Sequence, residues 1–152
     1  MRLAKQVLVW MVLAATLVGR PAVAAPGQGA AAVDAEWKRA MEAGDLAAVV
    51  ACYGADATLW LPGAAEAHGR AAIREAYRGL LDANTVSDVT YTATQYRSSG
   101  TLEAGAGDFS LTLTPRQGGA PTVLRGRFST QVEKQGGRWV YVVDHASTGP
   151  AQ

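Results

Sequence analysis

Few residues in this chain are of a type and spacing that could do chemistry. Asp144 and His145 stand side by side in RWVYVVDHAS, Arg138 to Ser147, at the end of an otherwise apolar run. A carboxylate beside an imidazole is raw material for general acid–base work. Successive strand residues point to opposite faces, however. Val140, Val142, Asp144 and Ala146 then share one face, and Trp139, Tyr141, Val143 and His145 the other. Asp144 and His145 enter one pocket together only if a bulge intervenes.

The other candidates are weaker. His68, the other of the two histidines, has no ligand spacing to His145, so no metal site is expected. Ser129 and Ser147 lack a nucleophile-elbow context. Cys52 is the single cysteine and has no intrachain disulfide partner. Gly105-Ala106-Gly107 lies within a strand pattern and precedes no helix, which reads as a bulge and not as a nucleotide loop. No cofactor is therefore expected. Arg70, Arg74 and Arg78 recur every four residues, the pattern of a solvated helix face more than of an anion site.

These residues need elements to position them, and the chain begins with a segment expected to be removed. Arg2 and Lys5 precede an apolar run from Val7 to Val18, followed by Ala22-Val23-Ala24. That is a signal-peptide pattern with an A-x-A cleavage site. The run is shorter than the roughly 20 residues that cross a bilayer as a helix. Residues 1–24 are expected to be a leader and the mature chain an exported, soluble one, periplasmic or secreted. Without the leader, 11 Lys and Arg face 13 Asp and Glu. Such a surface makes nucleic acid an unsuitable partner, and no membrane association is expected after cleavage. The remaining length suits one domain.

Residues 25–32 are small and Gly-rich and read as a flexible tether, with the domain running over 33–148. Val33, Trp37, Ala40 and Met41 make a helical stripe, with Asp34 as its cap and Gly44 as its stop. A second helix is expected from Asp45 to about Tyr53, a short strand over 57–61, and a third helix over 70–81 with Ile73, Tyr77 and Leu80 inward. Beyond Asn84 the period becomes two. Segments near 86–98, 101–114, 122–133 and 138–147 are rich in Val, Thr, Tyr and Phe and separated by Gly-containing turns. Helices followed by long hairpins give an α+β fold, with helices over one face of a curved, mostly antiparallel sheet.

The run EWKRAMEAGDLAAVVACYGADATLWLPG, then HGRAAIREAY, then GGRWVYVVDHAS resembles the SnoaL-like branch of the nuclear transport factor 2-like superfamily, in particular its SgcJ/EcaC-type members. The resemblance implies a cone in which the sheet wraps a pocket and helices close one side, and it implies a homodimer. On that alignment the face of Val142 and Asp144 is concave, so Asp144 is the pocket carboxylate and catalytic candidate. His145 then lies on the convex or dimer-facing side. The plainer readings are a rim residue for Asp144 and a structural residue for His145.

The ketosteroid isomerases of this superfamily supply a further test. Their base carboxylate falls at Leu61, their oxyanion tyrosine at Trp37 and their protonated carboxyl near Phe128. That isomerase chemistry is accordingly not expected. Their supporting tyrosines match Tyr53 and Tyr77, which implies an aromatic wall of Trp37, Tyr53 and Tyr77. Leu59, Leu61, Phe109, Phe128 and Val142 would complete an apolar lining. Ordinary core aromatics are the plainer reading. Three functions stand open: an exported binder of a small apolar or aromatic ligand, a SnoaL-like isomerase, cyclase or hydratase using Asp144, and a dimerising interaction module with a vestigial pocket, similar to the association domain of calcium/calmodulin-dependent kinase. Trp139, Tyr141 and Val143, on the face opposite Asp144, are the expected dimer strip.

Overall fold

A computed structural model of the protein describes residues 27–149; the expected leader and its cleavage site lie outside them. The elements are α1 (Gln28–Ala43), α2 (Leu46–Ala51), β1 (Tyr53–Trp60), β2 (Ala67–His68), α3 (Gly69–Ala83), β3 (Asn84–Ser99), β4 (Leu102–Pro115), β5 (Thr122–Gln135) and β6 (Arg138–Thr148). The six strands form one sheet in the order β2-β1-β6-β5-β4-β3. The fold is α+β, with a curved sheet that is mixed: β1 and β6 run parallel while every other pair is antiparallel.

Helix α1 starts well before Val33, so residues 28–32, expected to be part of a tether, are helical. The small residues there have no side-chain cap of their own. Their free N–H groups are taken up from β3 and β4: Gly27 N–H donates to Ser98 Oγ at 2.8 Å and Ala30 N–H to the buried Glu103 at 2.7 Å. A carboxylate at a helix N-terminus is favoured by the helix dipole as well. Asp34, expected to cap this helix, is instead a buried residue on its second turn. Gly44 ends the helix in a left-handed conformation at φ 66°. Asp45 caps α2 by accepting from Ala48 N–H.

The sheet curves at irregularities that the sequence signals poorly. Gly105-Ala106-Gly107, expected to bulge, pairs with β5 in unbroken register. The register shifts lie in β3, one beside Ala93 across from Gly107 and one beside Asp88 across from Leu111, with both residues at positive φ. Glycine at 107 is the counterpart of such a shift, since a Cβ there would lie 2.9 Å from the Thr92 carbonyl oxygen. A further bulge sits in β6. Gln131 faces Val143 and Val132 faces Tyr141, which leaves Val142 as the extra residue.

The helices and the concave face of the sheet bury the core, with Val33, Met41, Val49, Leu59, Ile73, Tyr77, Val89 and Val132 almost inaccessible. In α3 the inward stripe is Ile73, Tyr77 and Leu81, with Leu80 only half-buried. The opposite face of the sheet carries Ala106, Asp108, Arg127, Ser129 and His145, all exposed.

Candidate functional site

Concave strand positions and the inner sides of α1 and α3 enclose a cavity of about 600 Å³. From α1 come Asp34, Trp37 and Met41, spaced three and four apart on one face. Strands β3 to β5 contribute Tyr91, Phe109, Leu111, Leu113, Leu124, Phe128 and Thr130, and β6 contributes Tyr141, Asp144, Ala146 and Thr148. The loop 61–64 and residues Ala76, Tyr77, Gly79 and Leu80 of α3 form the remaining wall. Its volume falls in the range of ordinary small-molecule sites, and so does its mix of an apolar wall with a few polar groups.

A directed hydrogen-bond chain ends on Asp144. Tyr53 Oη donates to Asp144 Oδ2 at 2.6 Å, and Tyr53 and Tyr77 hydroxyls lie 2.7 Å apart. Trp37 Nε1 donates to Tyr77 Oη at 3.2 Å. Each hydroxyl has one proton and the indole can only donate. When Asp144 is ionised the sequence is therefore fixed as Trp37 to Tyr77 to Tyr53 to Asp144. Burial pushes the Asp144 carboxyl up to about 6, the Tyr53 bond opposes this, and the nearby Asp34 charge adds to the rise. Burial, then the Asp144 charge, holds the Tyr53 and Tyr77 hydroxyls well above their ordinary range. They are donors here and not bases.

A second carboxylate, Asp34, shares the cavity. Tyr141 Oη donates to its Oδ1 at 2.6 Å and Tyr96 Oη to its Oδ2 at 2.8 Å. Burial raises its pKa and the two tyrosine bonds work against the rise. The Tyr53 and Tyr141 rings touch, with centroids 5.2 Å apart, so the two acid–tyrosine groups pack as one unit.

Of the expected site residues, Trp37, Leu61, Tyr77, Phe109, Phe128 and Asp144 are brought together around the cavity. Tyr53 is fully buried behind it and reaches it through Asp144. Leu59 lies in the core and not on the cavity wall. Val142 is displaced: as the extra residue of the β6 bulge it gives up its place to Tyr141. The same bulge overturns the expected dimer strip, because Tyr141 points inward to Asp34 and Trp139 packs against Gly29 of α1, leaving only Val143 on the far side. His145 is exposed on that side, 3.5 Å from Ser129 Oγ and edge-on to Trp60.

Asp34, Tyr91, Tyr96, Thr130 and Tyr141 were not legible as site residues. Asp34 reads as a cap because Asp before a helical stripe usually is one, and no strand alternation survives a bulge whose place the sequence does not mark. The inward stripe of α1 was a signal: Asp34 lies three residues before Trp37 on the same helix face.

Known structures share this architecture. A candidate calcium/calmodulin-dependent protein kinase II association domain from Xanthomonas campestris aligns with a TM-score of 0.73 at 22% identity, covering 81% of this chain and 87% of its own. A ketosteroid isomerase-like protein from Erwinia carotovora atroseptica gives 0.71 at 21% identity, over 80% and 94%. A candidate scytalone dehydratase from Novosphingobium aromaticivorans gives 0.73 at 13% identity, over 80% and 82%. At such identities these likenesses speak for the fold alone. No curated protein matches the chain significantly. The SnoaL-like domain model matches residues 34–142, a span that holds Asp34, the Trp37–Tyr77–Tyr53 chain and most of the cavity wall, and the chain belongs to that family.

Proposed function

We propose that the protein binds a small, largely apolar molecule in the cone. The observation that carries this reading is the cavity itself: about 600 Å³ of apolar and aromatic wall with two carboxylates, of which Asp144 is oriented by Tyr53. Asp144 Oδ2 is engaged and Oδ1 is left for a ligand. Native mass spectrometry of protein purified from its source tests this, the expected result being a retained mass that denaturation releases. An adduct-free chain that also gives no thermal shift with a panel of apolar molecules refutes it.

A second reading is cofactor-independent proton transfer of the isomerase, cyclase or hydratase type, with Asp144 as the acid or base. Its support is the carboxyl at about 6, close enough to neutrality to exchange a proton in both directions. Chemistry of the ketosteroid isomerase type is not proposed, because Leu61 and Phe128 are apolar where that chemistry needs carboxyl groups. The third reading, an interaction module with a vestigial pocket, has less behind it, since a vestigial pocket gives no reason for an oriented carboxylate.

We further propose export through residues 1–24, supported by their sequence pattern, and an SgcJ/EcaC-type placement within the family, supported by the sequence runs that resemble it. Dimerisation is proposed through the convex face of the sheet. Trp60 and Leu102 are 38% and 37% exposed there and Val123 45%, with Val143 and His145 between β1 and β5.

A further inference from the structure

Among the described residues, the cavity holds two carboxylates, Asp34 and Asp144, and no Lys, Arg or His. Each acid is stabilised by neutral hydroxyls: Asp144 by Tyr53, Asp34 by Tyr96 and Tyr141. Hydroxyl donors lower the cost of a buried charge without neutralising it, so the field inside the cone is negative.

The rest of the wall adds to that field. Trp37, Tyr77, Tyr91, Phe109, Phe128 and Tyr141 supply aromatic rings, whose faces carry partial negative charge and attract cations. Tyr91 and Phe128 meet edge to face, with centroids 5.2 Å apart, and make one aromatic corner. An independent observation lies beside Asp144. Thr130 is directly cross-strand from Asp144, is 5% exposed, lines the cavity, and its Oγ1 is a buried polar atom without a hydrogen-bond partner. Such an orphan leaves unsatisfied polarity in the wall beside Asp144.

We propose that the ligand is an organic cation: an apolar, ring- or chain-bearing molecule with one protonated amine, whose N–H groups reach Asp144 Oδ1. Asp34, with both oxygens already occupied by tyrosines, contributes charge and not contact. One amine therefore satisfies the site, and a carboxylate or phosphate ligand is repelled. This inference rests on the small-molecule reading above and narrows it to a ligand class.

The test is calorimetric titration of the mature chain at pH 7.5 with three apolar scaffolds, benzyl, cyclohexylmethyl and 2-naphthylmethyl, each as amine, alcohol and carboxylate. The expected result is that at least one amine binds tenfold or more tighter than its alcohol and that no carboxylate binds. Asp144→Asn should erase the preference for the amine over the alcohol. An alcohol that binds as tightly as its amine overturns the cation inference and leaves the small-molecule reading standing. Failure of every scaffold in every form overturns both.

Discussion

At the scale of single residues, the Asp144 carboxylate is a stability cost as well as a functional group. Its pKa is about 6 in the folded protein against an ordinary 3.8, so the folded state holds a proton that the unfolded chain has released. Stability therefore falls as pH rises from about 4 to 6, and the loss persists above that window, amounting to roughly 3 kcal/mol at most. Asp144→Asn is neutral, of similar size, and still accepts from Tyr53. It should raise stability by about 1–3 kcal/mol at pH 7.5, with the gain vanishing below pH 4. Urea unfolding of both proteins across pH 4 to 8 checks this; an Asn variant less stable at every pH contradicts it. Tyr53→Phe acts in the other direction on the same group. Loss of the bond that favours the ionised form should move the Asp144 titration above 6, read by carboxyl carbon NMR. His145→Gln should leave both the titration and ligand binding unchanged, because that side chain is exposed on the far face.

At the scale of elements, the first helix is held at its start by the sheet. Ala30 N–H and Ser98 Oγ both donate to Glu103, which is 5% exposed. Glu103→Ala leaves an amide at a buried helix end without an acceptor, and a loss of about 1–3 kcal/mol is expected. Glu103→Gln keeps one acceptor and should cost less. Amide exchange over residues 28–32 is the informative readout, since the Ala variant should open there before the rest of the molecule. Gly29 gives a complementary case on the same helix. Alanine favours helices over glycine by about 1 kcal/mol, yet a Cβ at position 29 would lie 2.3 Å from the Trp139 ring. The clash should win, and Gly29→Ala should lower the melting temperature; a rise would mean that Trp139 moves freely.

At the scale of the whole molecule, the proposed dimer rests on the convex face. With Tyr141 and Trp139 turned inward, the exposed apolar residues there are scattered: Trp60 on β1, Leu102 on β4 and Val123 on β5. A two-fold pairing of sheets is expected to cover them, giving twice the monomer mass in sedimentation at micromolar concentration. Trp60→Ser should then shift the balance toward monomer without altering the cavity, which lies on the other side of the sheet. The mass of the mature exported chain is expected to correspond to a start at Ala25. A full-length mass recovered from membranes would contradict export by cleavage.

The sequence by itself determined the class of the fold and the order of its elements apart from the two-residue β2, and through the family resemblance it put Asp144 forward as the pocket carboxylate. Each of these follows from local pattern: apolar spacing for the helices, alternation for the strands, glycine turns between them, and quoted runs long enough to resemble a family. Asp144 was assigned to the cavity through the family resemblance; it follows the bulge, and alternation from Asp144 to Ala146 agrees with the cavity wall. Upstream of Val142 the same alternation failed, and it put Tyr141 and Trp139 on the wrong side. A bulge adds one residue to one strand, and what selects its place is the fit of that strand against its neighbours, which no local pattern records. The start of α1 and the role of Asp34 belong to the tertiary structure for a similar reason. The acceptors for its first N–H groups lie 71 and 73 residues away, and the hydroxyls that hold Asp34 lie 62 and 107 residues away. Only the closed cone brings a carboxylate on the first helix into the same negative cavity as one on the last strand.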